Sequence, residues 1–485
     1  MNFNENVFRE LNLLLDDSET DKMSYLSILK DLNNCKIGHH KRDNIGMNFL
    51  CGYYPVNHFE LTDILEKARL LRGVFHKINL LYIDAISKAD NYFLDIFESG
   101  ILKQNRKIRN IHREIVTKKV DRLPLTFRAD SPDLKHFVEF HSGIRGWGYL
   151  YAFRKVMDKY YGATSVFSSE RIKKYCDILI NELRGKKNFI VGFNGTYNGI
   201  PEMEYLFNNC FRGGVININP YILHFFFNTN YKRFGLNYRD MLNLKLLFIN
   251  PQRIYHGLFR KMAFSWNSCI HKIIFNGCHE ILKLYKEGLI DIEPTQNLLY
   301  DNKSIMALVW DDRYRGVFND EERSIFPRTH FVRSGMRMQF SDGSYEIEDI
   351  IRMSPKNRRF ILKYAGLNLA INFGGRTVFR LKTLSKKSTE KVLRKAVYLC
   401  ENRGQPWIIQ EDVSCKSDVK YFDIEQKKIH EDTLYKLYRP FFIYNSSTDN
   451  VEIVDIMMFF RNNFKVHAVD NGIFGLVDLC DTIKY

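Results

Sequence analysis

The chain contains no C-x-x-C pair among its nine cysteines, whose number is odd and whose spacing is irregular. That pattern argues against a zinc ribbon or a disulfide framework and suits free thiols in a reducing compartment. No run of 18 apolar residues occurs, the richest stretch being residues 221–227, so no segment reads as a membrane-spanning helix. The first residues, MNFNENVFRELNLLLDD, lack the basic-then-apolar order of a signal peptide. Internal repeats, low-complexity segments and long basic blocks are also missing. From these absences we expect a soluble, cytoplasmic protein.

What is present describes a folded chain. With 485 residues, 45% hydrophobic and 26% charged, and 28 Gly against 11 Pro, it can bury a sizeable core. The length is enough for roughly two to four domains. The formal net charge of +16 is compatible with nucleic acid, an anionic surface or anionic small ligands. Its Lys and Arg residues are scattered among acids, which reads as a generally basic surface.

Residues 1–120 carry apolar residues at helical spacing, as in Leu61, Ile64, Leu65, Leu70 and Leu71, and read as mainly helical. The adjacent His39 and His40 do not share a helix face and have no carboxylate at ligand spacing, so they read as a surface loop. After Pro124 two strand-like pieces, 125–129 and 136–141, flank a Ser-Pro-Asp turn. Period two puts Arg128 with Asp130 on one face of the first strand and Glu139 with His141 on one face of the second. A hairpin would gather a cation, two carboxylates and an imidazole, a set that suits Mg²⁺ beside phosphate or an ordinary exposed polar face.

Residues 150–185 read as helical. From residue 188 onward, strand, glycine loop, helix and strand form a βαβ unit, which implies a parallel sheet. The glycines in 192–199 lack the spacing of a dinucleotide fingerprint. Residues 288–293 alternate like a strand, and Asp301-Asn302-Lys303 opens an apolar helix at 305–310. A lysine there opposes the helix dipole unless an anion sits beside it.

The stretch 357–381, NRRFILKYAGLNLAINFGGRTVFRL, reads as strand, loop, strand. Lys363 ends the first strand, and Gly374-Gly375-Arg376 lies where backbone N–H groups can face phosphate oxygens. Taken alone this is more simply an ordinary hairpin with a solvated lysine. Residues 386–402 form an amphipathic helix, and 406–411, ending in Gln410 and Glu411, a strand whose backbone could read a base edge. An aromatic segment around Arg439 and an apolar strand at 453–460 follow.

In this order the pieces resemble the circularly permuted ATP-grasp ligases, the group that includes glutathionylspermidine synthetase-like enzymes and related peptide ligases. The resemblance spans about residues 121–465 and rests on motif order. It implies an α+β, ATP-grasp-like, circularly permuted fold with an N-terminal mainly helical region. The implied segments are 1–120 (helical), 121–185 (metal-binding hairpin), 186–300 (α/β substrate domain) and 301–485 (nucleotide-binding lid and core). The implied activity is ADP-forming carboxylate–amine ligation through an acyl phosphate, with ATP and Mg²⁺. Arg128, Lys363 and Arg376 would be catalytic, and Lys303, Lys363, Gly374, Gly375, Gln410 and Glu411 would bind nucleotide. Asp130 and Glu139 would hold metal, with His141 standing where the family usually has Asn. Arg145, Arg260 and Arg439 are the candidates for carboxylate recognition. The expected partners are a small-molecule carboxylate and an amine, with no membrane and no nucleic acid. A nucleic-acid-binding or scaffold protein on a degenerate form of the fold, and an ATP-dependent phosphotransferase, are the alternatives.

Overall fold

The structure, a computed structural model, describes residues 19–35, 37, 48–99, 101–104, 106–144, 146–162, 166–182, 189–193, 200–211, 214–217, 246–249, 282–283, 285–288, 291–293, 295–366, 377–465 and 472–479. Helix α1 (Glu19–Asn34) precedes two short strands, β1 (Asn48–Leu50) and β2 (Tyr54–Val56). Then comes the long helix α2 (His58–Lys88), whose start is fixed by a capping box. Glu60 N donates to Asn57 Oδ1 at 2.9 Å, and Asn57 N donates to Glu60 Oε2 at 2.9 Å. Its buried residues Ile64, Ala68, Leu71, Phe75, Ile78 and Tyr82 recur every three or four positions, as one helix face requires. Helices α3 (Asn91–Phe97), α4 (Ile101–Gln104) and α5 (Arg106–Lys118) complete a region that is mainly helical, as expected.

Strands β3 (Thr126–Asp130) and β4 (Glu139–Ser142) form the expected antiparallel hairpin. Helices α6 (Trp147–Tyr161) and α7 (Ser169–Glu182) follow. Next come β5 (Phe189–Phe193), α8 (Ile200–Cys210), β6 (Gly214–Asn217), β7 (Leu246–Ile249) and β8 (Asp291–Glu293). These four strands pair in the order β6-β5-β7-β8, all parallel, as the βαβ pattern predicts. Short helices α9 (Ser304–Val309) and α10 (Asp320–Ser324) lead into a separate module. It holds β9 (Thr329–Phe331), the hairpin β10 (Met338–Phe340) and β11 (Gly343–Tyr345), and α11 (Ile347–Arg352). It continues with β12 (Phe360–Tyr364), β13 (Val378–Arg380), α12 (Lys386–Arg403) and β14 (Trp407–Glu411). Its sheet runs β13-β12-β14-β9 and is antiparallel throughout. We refer to this module as the lid.

The chain ends in β15 (Lys416–Asp423), β16 (Lys428–Asn445), β17 (Asn450–Arg461) and β18 (Ile473–Leu479). These join β1, β2, β3 and β4 in an eight-stranded sheet of order β15-β1-β18-β17-β16-β3-β4, with β2 on β18. Strand β15 also pairs with β16, so β15, β1, β18, β17 and β16 close on themselves. The sequence suggested an aromatic segment and one strand here; the fold makes β16 and β17 its longest strands. Mixed helices and sheets make the protein α+β.

The large sheet separates two cores. Phe127, Ala129, Tyr438, Met458 and Phe460 pack with α2 on one face. Phe441, Met457, Phe459 and Phe474 pack with α1, α6 and α7 on the other. Helix α6 is pinned by a fully buried pair: Arg154 Nε donates to Asp455 Oδ2 at 2.8 Å and Nη2 to Asp455 Oδ1 at 2.6 Å. Nη2 also reaches Val477 O at 3.0 Å, so one guanidinium spans β17 and β18. Burial drives the Asp455 carboxyl upward, and the arginine opposes that drift. Asp455→Ala strands this guanidinium in a dry core. We predict a loss of about 3–5 kcal/mol in a urea unfolding titration; a loss below about 1 kcal/mol would contradict this role.

Candidate functional site

Register places the first group of charges. β3 and β4 pair Arg128 with His141 and Asp130 with Glu139, so these four side chains project from one face of the hairpin. On the other edge of β3, β16 pairs Phe441 with Arg128. Arg439, two residues before Phe441, therefore comes up beside Asp130. Its Nε donates to Asp130 Oδ2 at 3.1 Å. Arg128 Nε stands 3.0 Å from Asp130 Oδ1, an ion pair without hydrogen-bond alignment. Asp130 is 1% exposed, and two guanidiniums balance its charge. The guanidinium of Arg439 also lies 4.5 Å from the centre of the Phe459 ring.

The lid supplies the second group. Alternation divides its sheet into a core face, with Phe360, Leu362, Tyr364, Trp407 and Ile409, and a face carrying Ile361, Lys363, Ile408 and Gln410. Lys363 is 6% exposed, not the solvated lysine of an ordinary hairpin. Its Nζ donates to Gln410 Oε1 at 2.6 Å and to Val138 O, just before β4, at 3.3 Å. The ammonium thus bridges the lid and the β3–β4 hairpin. Gln410 is itself fixed, its Nε2 donating to Thr329 Oγ1 at 2.9 Å. Its side chain orients Lys363. Glu411 turns the other way and accepts from Ser341 N and Oγ, both at 2.6 Å, which ties β14 to the β10–β11 hairpin.

Lys303 arrives from a turn that is held on three sides. His112 Nε2 accepts from Leu298 N at 3.2 Å, and Asn297 Nδ2 donates to Asn79 Oδ1 at 2.8 Å. Asp301 Oδ1 accepts from Ser142 N at 2.9 Å, on β4 itself. Burial keeps the His112 imidazole neutral by moving its pKa down to about 3, which suits its role as acceptor. Lys303 occupies the N-cap of α9 without a capping hydrogen bond. Its Nζ lies 2.6 Å from Glu139 Oε1. The anion that the sequence required beside this lysine is thus a carboxylate of the same site. His141 Nε2 lies 3.5 Å from the same oxygen.

The electrostatics follow from this packing. Burial would raise the Glu139 carboxyl, but Lys303 and then His141 hold it well below the usual carboxylate range. Burial lowers the Lys363 ammonium to about 8, with Glu139 opposing that fall and Lys303 adding to it. Burial likewise lowers Arg439, against the pull of Asp130. At the base of the hairpin, Glu293 Oε1 accepts from Thr126 N at 2.9 Å and Thr126 Oγ1 at 2.8 Å. Burial raises the Glu293 carboxyl to about 7. This carboxyl ties the parallel sheet to the first residue of β3.

Of the residues singled out in the sequence, Arg128, Asp130, Glu139, His141, Lys303, Lys363 and Gln410 meet around this cluster. Gly374, Gly375, Arg376, Arg145 and Arg260 lie outside the described residues. Arg439, only a candidate for carboxylate recognition in the sequence, is bonded to Asp130. Sequence reasoning missed His112 and Glu293, and neither carries a motif. Among the described residues, no three or more His, Cys, Asp and Glu side chains gather as a ready-made metal site. Asp130 and Glu139 each face a cation, and Asp130 Oδ1 accepts no hydrogen bond. Two carboxylates, one oxygen of which meets Arg128 without a hydrogen bond, would suit Mg²⁺ that completes its shell with phosphate and water better than a cage of protein ligands alone.

No protein-family profile matches the chain, and no curated protein is similar to it in sequence. Among solved structures it is similar to a glutathione synthetase-like effector from Globodera pallida in its apo form, at 11% identity. The overlap covers 94% of this chain and 97% of that one, with a TM-score of 0.49. So loose an overlap transfers no residue roles, and the site is read from its own geometry. No helix among the described residues is long and apolar enough to cross a membrane.

Four cations converge from β3, β12, β16 and the turn before α9, with apolar Ile361 and Ile408 beside them. Such a set can hold a polyphosphate chain and stabilise charge that moves along it. Lys363 contributes only while protonated, so its lowered pKa sets the pH limit. Tripolyphosphate binding, measured calorimetrically with Mg²⁺, is predicted to be level below about pH 7 and to weaken up to about tenfold per pH unit above about 8. Lys363→Met should weaken binding and flatten that alkaline decline. An unchanged decline in the variant would contradict the assignment.

Proposed function

We propose that the protein is an ATP-dependent, ADP-forming carboxylate–amine ligase with a permuted ATP-grasp arrangement. The observation that carries this reading is the contact between lid and hairpin. Lys363 of β12 reaches Val138 O beside β4, and Lys303 reaches Glu139. Nucleotide-type lysines and metal-type carboxylates therefore share one site although they are far apart in the chain. The order of the motifs, with the carboxylate hairpin before the lysines, supports the permuted form.

A carboxylate is a poor electrophile. Phosphorylation converts it to an acyl phosphate, and attack by an amine then expels phosphate and leaves an amide. When bound, Mg²⁺–ATP would supply the phosphoryl group and a divalent charge that offsets its oxygens, with Asp130 and Glu139 as the residues that would hold the metal. Lys303 and Lys363 would take the outer phosphates as they release Glu139 and Gln410. Arg128, beside Asp130, would balance the negative charge that spreads during transfer. Arg439 stands on the same side and can hold either a phosphate oxygen or the substrate carboxylate. The lid sheet would cover the phosphates with Ile361 and Ile408 and so exclude water from the acyl phosphate. The resemblance assigns Gly374, Gly375 and Arg376 to the phosphates as well, and the backbone near Glu411 would meet the base. His141 would keep Glu139 ionised in this reading, since Mg²⁺ prefers oxygen to imidazole. The small-molecule substrates and a cytoplasmic setting belong to the same proposal.

The test is product analysis by mass spectrometry with ATP, Mg²⁺ and a panel of amino acids, short peptides and amines. An amide formed in step with ADP is the expected result. Asp130→Asn and Lys363→Met should each lower its rate by about 10²–10³ while the far-ultraviolet spectrum is unchanged. A phosphorylated acceptor in place of an amide would make the protein a phosphotransferase. No ATP turnover and no ATP-dependent thermal shift across the panel would contradict the proposal outright.

A further inference from the structure

The charge of the chain is unevenly distributed once it folds. Residues 332–407, nearly all of the lid, hold sixteen Lys and Arg against six Asp and Glu. That surplus of ten lies within a chain whose total surplus is sixteen. Six of the sixteen cations lie on one helix, α12, which carries only Glu390 and Glu401 as acids. In α12, Thr389, Leu393 and Ala396 face the lid core. At about 100° per residue, Lys387, Lys391, Lys395 and Tyr398 fall on the opposite side, within an arc of about 80°. All four are exposed. Tyr398 shows 52% of its surface, among the most exposed large side chains described.

The stripe is not neutralised by its neighbours. Arg394, on the same side, is bound by Glu390 at 2.9 Å and by Glu348 at 3.0 Å. Lys387, Lys391 and Lys395 have no ion pair among the described residues. Their ammonium groups recur about every 6 Å along the helix axis, given its rise of about 1.5 Å per residue. Three uncompensated lysines in a row, ending in an open aromatic ring, select a partner with repeated negative charge and flat apolar faces between the charges. No aliphatic side chain is exposed on α12, so nothing there would enter a bilayer. An acidic peptide offers the charge but not the faces.

We propose that the outer face of α12 binds single-stranded nucleic acid, with the three lysines on backbone phosphates and a base stacked on Tyr398. This surface lies on the reverse of the lid from Lys363 and Gln410. α12 packs behind β14, whose Gln410 side chain projects from the other face of the sheet. The two surfaces can therefore be tested separately, and this inference does not rest on the ligase reading.

The experiment is fluorescence anisotropy of the full chain with a labelled single-stranded 12-mer, without ATP or Mg²⁺, at 50–200 mM salt. Binding at 50 mM salt is expected, with a slope of log affinity against log salt of about −2, as neutralising about three phosphates of a single strand implies. The triple variant K387E/K391E/K395E should abolish binding without lowering the melting temperature. Tyr398→Ala should weaken it about tenfold, and Tyr398→Phe should not, because stacking needs the ring and not the hydroxyl. Absence of binding at 50 mM salt would overturn the proposal, as would equal binding by the triple variant. Equally tight binding of poly-glutamate or phosphatidylserine vesicles to the stripe would also overturn it, by showing charge recognition alone.

Discussion

Everything in the site depends on the neutralisation of Asp130 and Glu139. Two carboxylates stand on facing residues of a hairpin, one of them almost wholly buried, and like charges so placed are costly unless cations meet them. The chain meets that demand from one neighbouring residue and three distant segments. Arg128 comes from the same strand, Arg439 from β16, Lys303 from the turn before α9, and Lys363 from the lid. These are the groups a triphosphate would need. In the described state they compensate the carboxylates; with a polyphosphate and a divalent ion present, the same charges can be repartitioned. A site whose charges balance internally stays compact before its ligands arrive. Under the proposed function it would also make each ligand's binding depend on the other.

The scaffold explains how such distant residues are held. Strand β16 is the common element: β3 and β15 share one of its edges, and β17 runs along the other. The buried Arg154–Asp455 pair locks α6 onto β17. Glu293 ties the parallel sheet to Thr126, and Asp301 ties the turn before Lys303 to Ser142. These last two ties each end within a few residues of a site group. The lid reaches the hairpin through Lys363 and Val138.

Much of this was legible in residue order. The Arg128/Asp130 and Glu139/His141 alternation predicts a hairpin face, and that hairpin forms in the expected register range. The βαβ pattern from residue 188, the helix at 386–402 and the lid strands at 360–364 and 407–411 also appear where periodicity placed them. What stayed hidden depends on long-range pairing. Arg439 is one cation in an aromatic segment, and only the β16–β3 register shows that it meets Asp130. The strands β1 and β2 are three residues each, too short for alternation to mark. The Lys387, Lys391 and Lys395 stripe looked like scattered charge because the buried face of α12 sets which residues share a side. Gln410 read as a nucleotide contact; its buried side-chain oxygen also accepts from Lys363, a contact that needs the β12–β14 register to be seen.

The most direct measurement of the central claim is a crystal structure with Mg²⁺ and a non-hydrolysable ATP analogue. The account predicts the metal on Asp130 and Glu139, and the phosphates between Lys303 and Lys363. Lys303 would have left Glu139 to reach them. Nucleotide or metal bound elsewhere, with the Lys303–Glu139 and Arg439–Asp130 pairs intact, would contradict it.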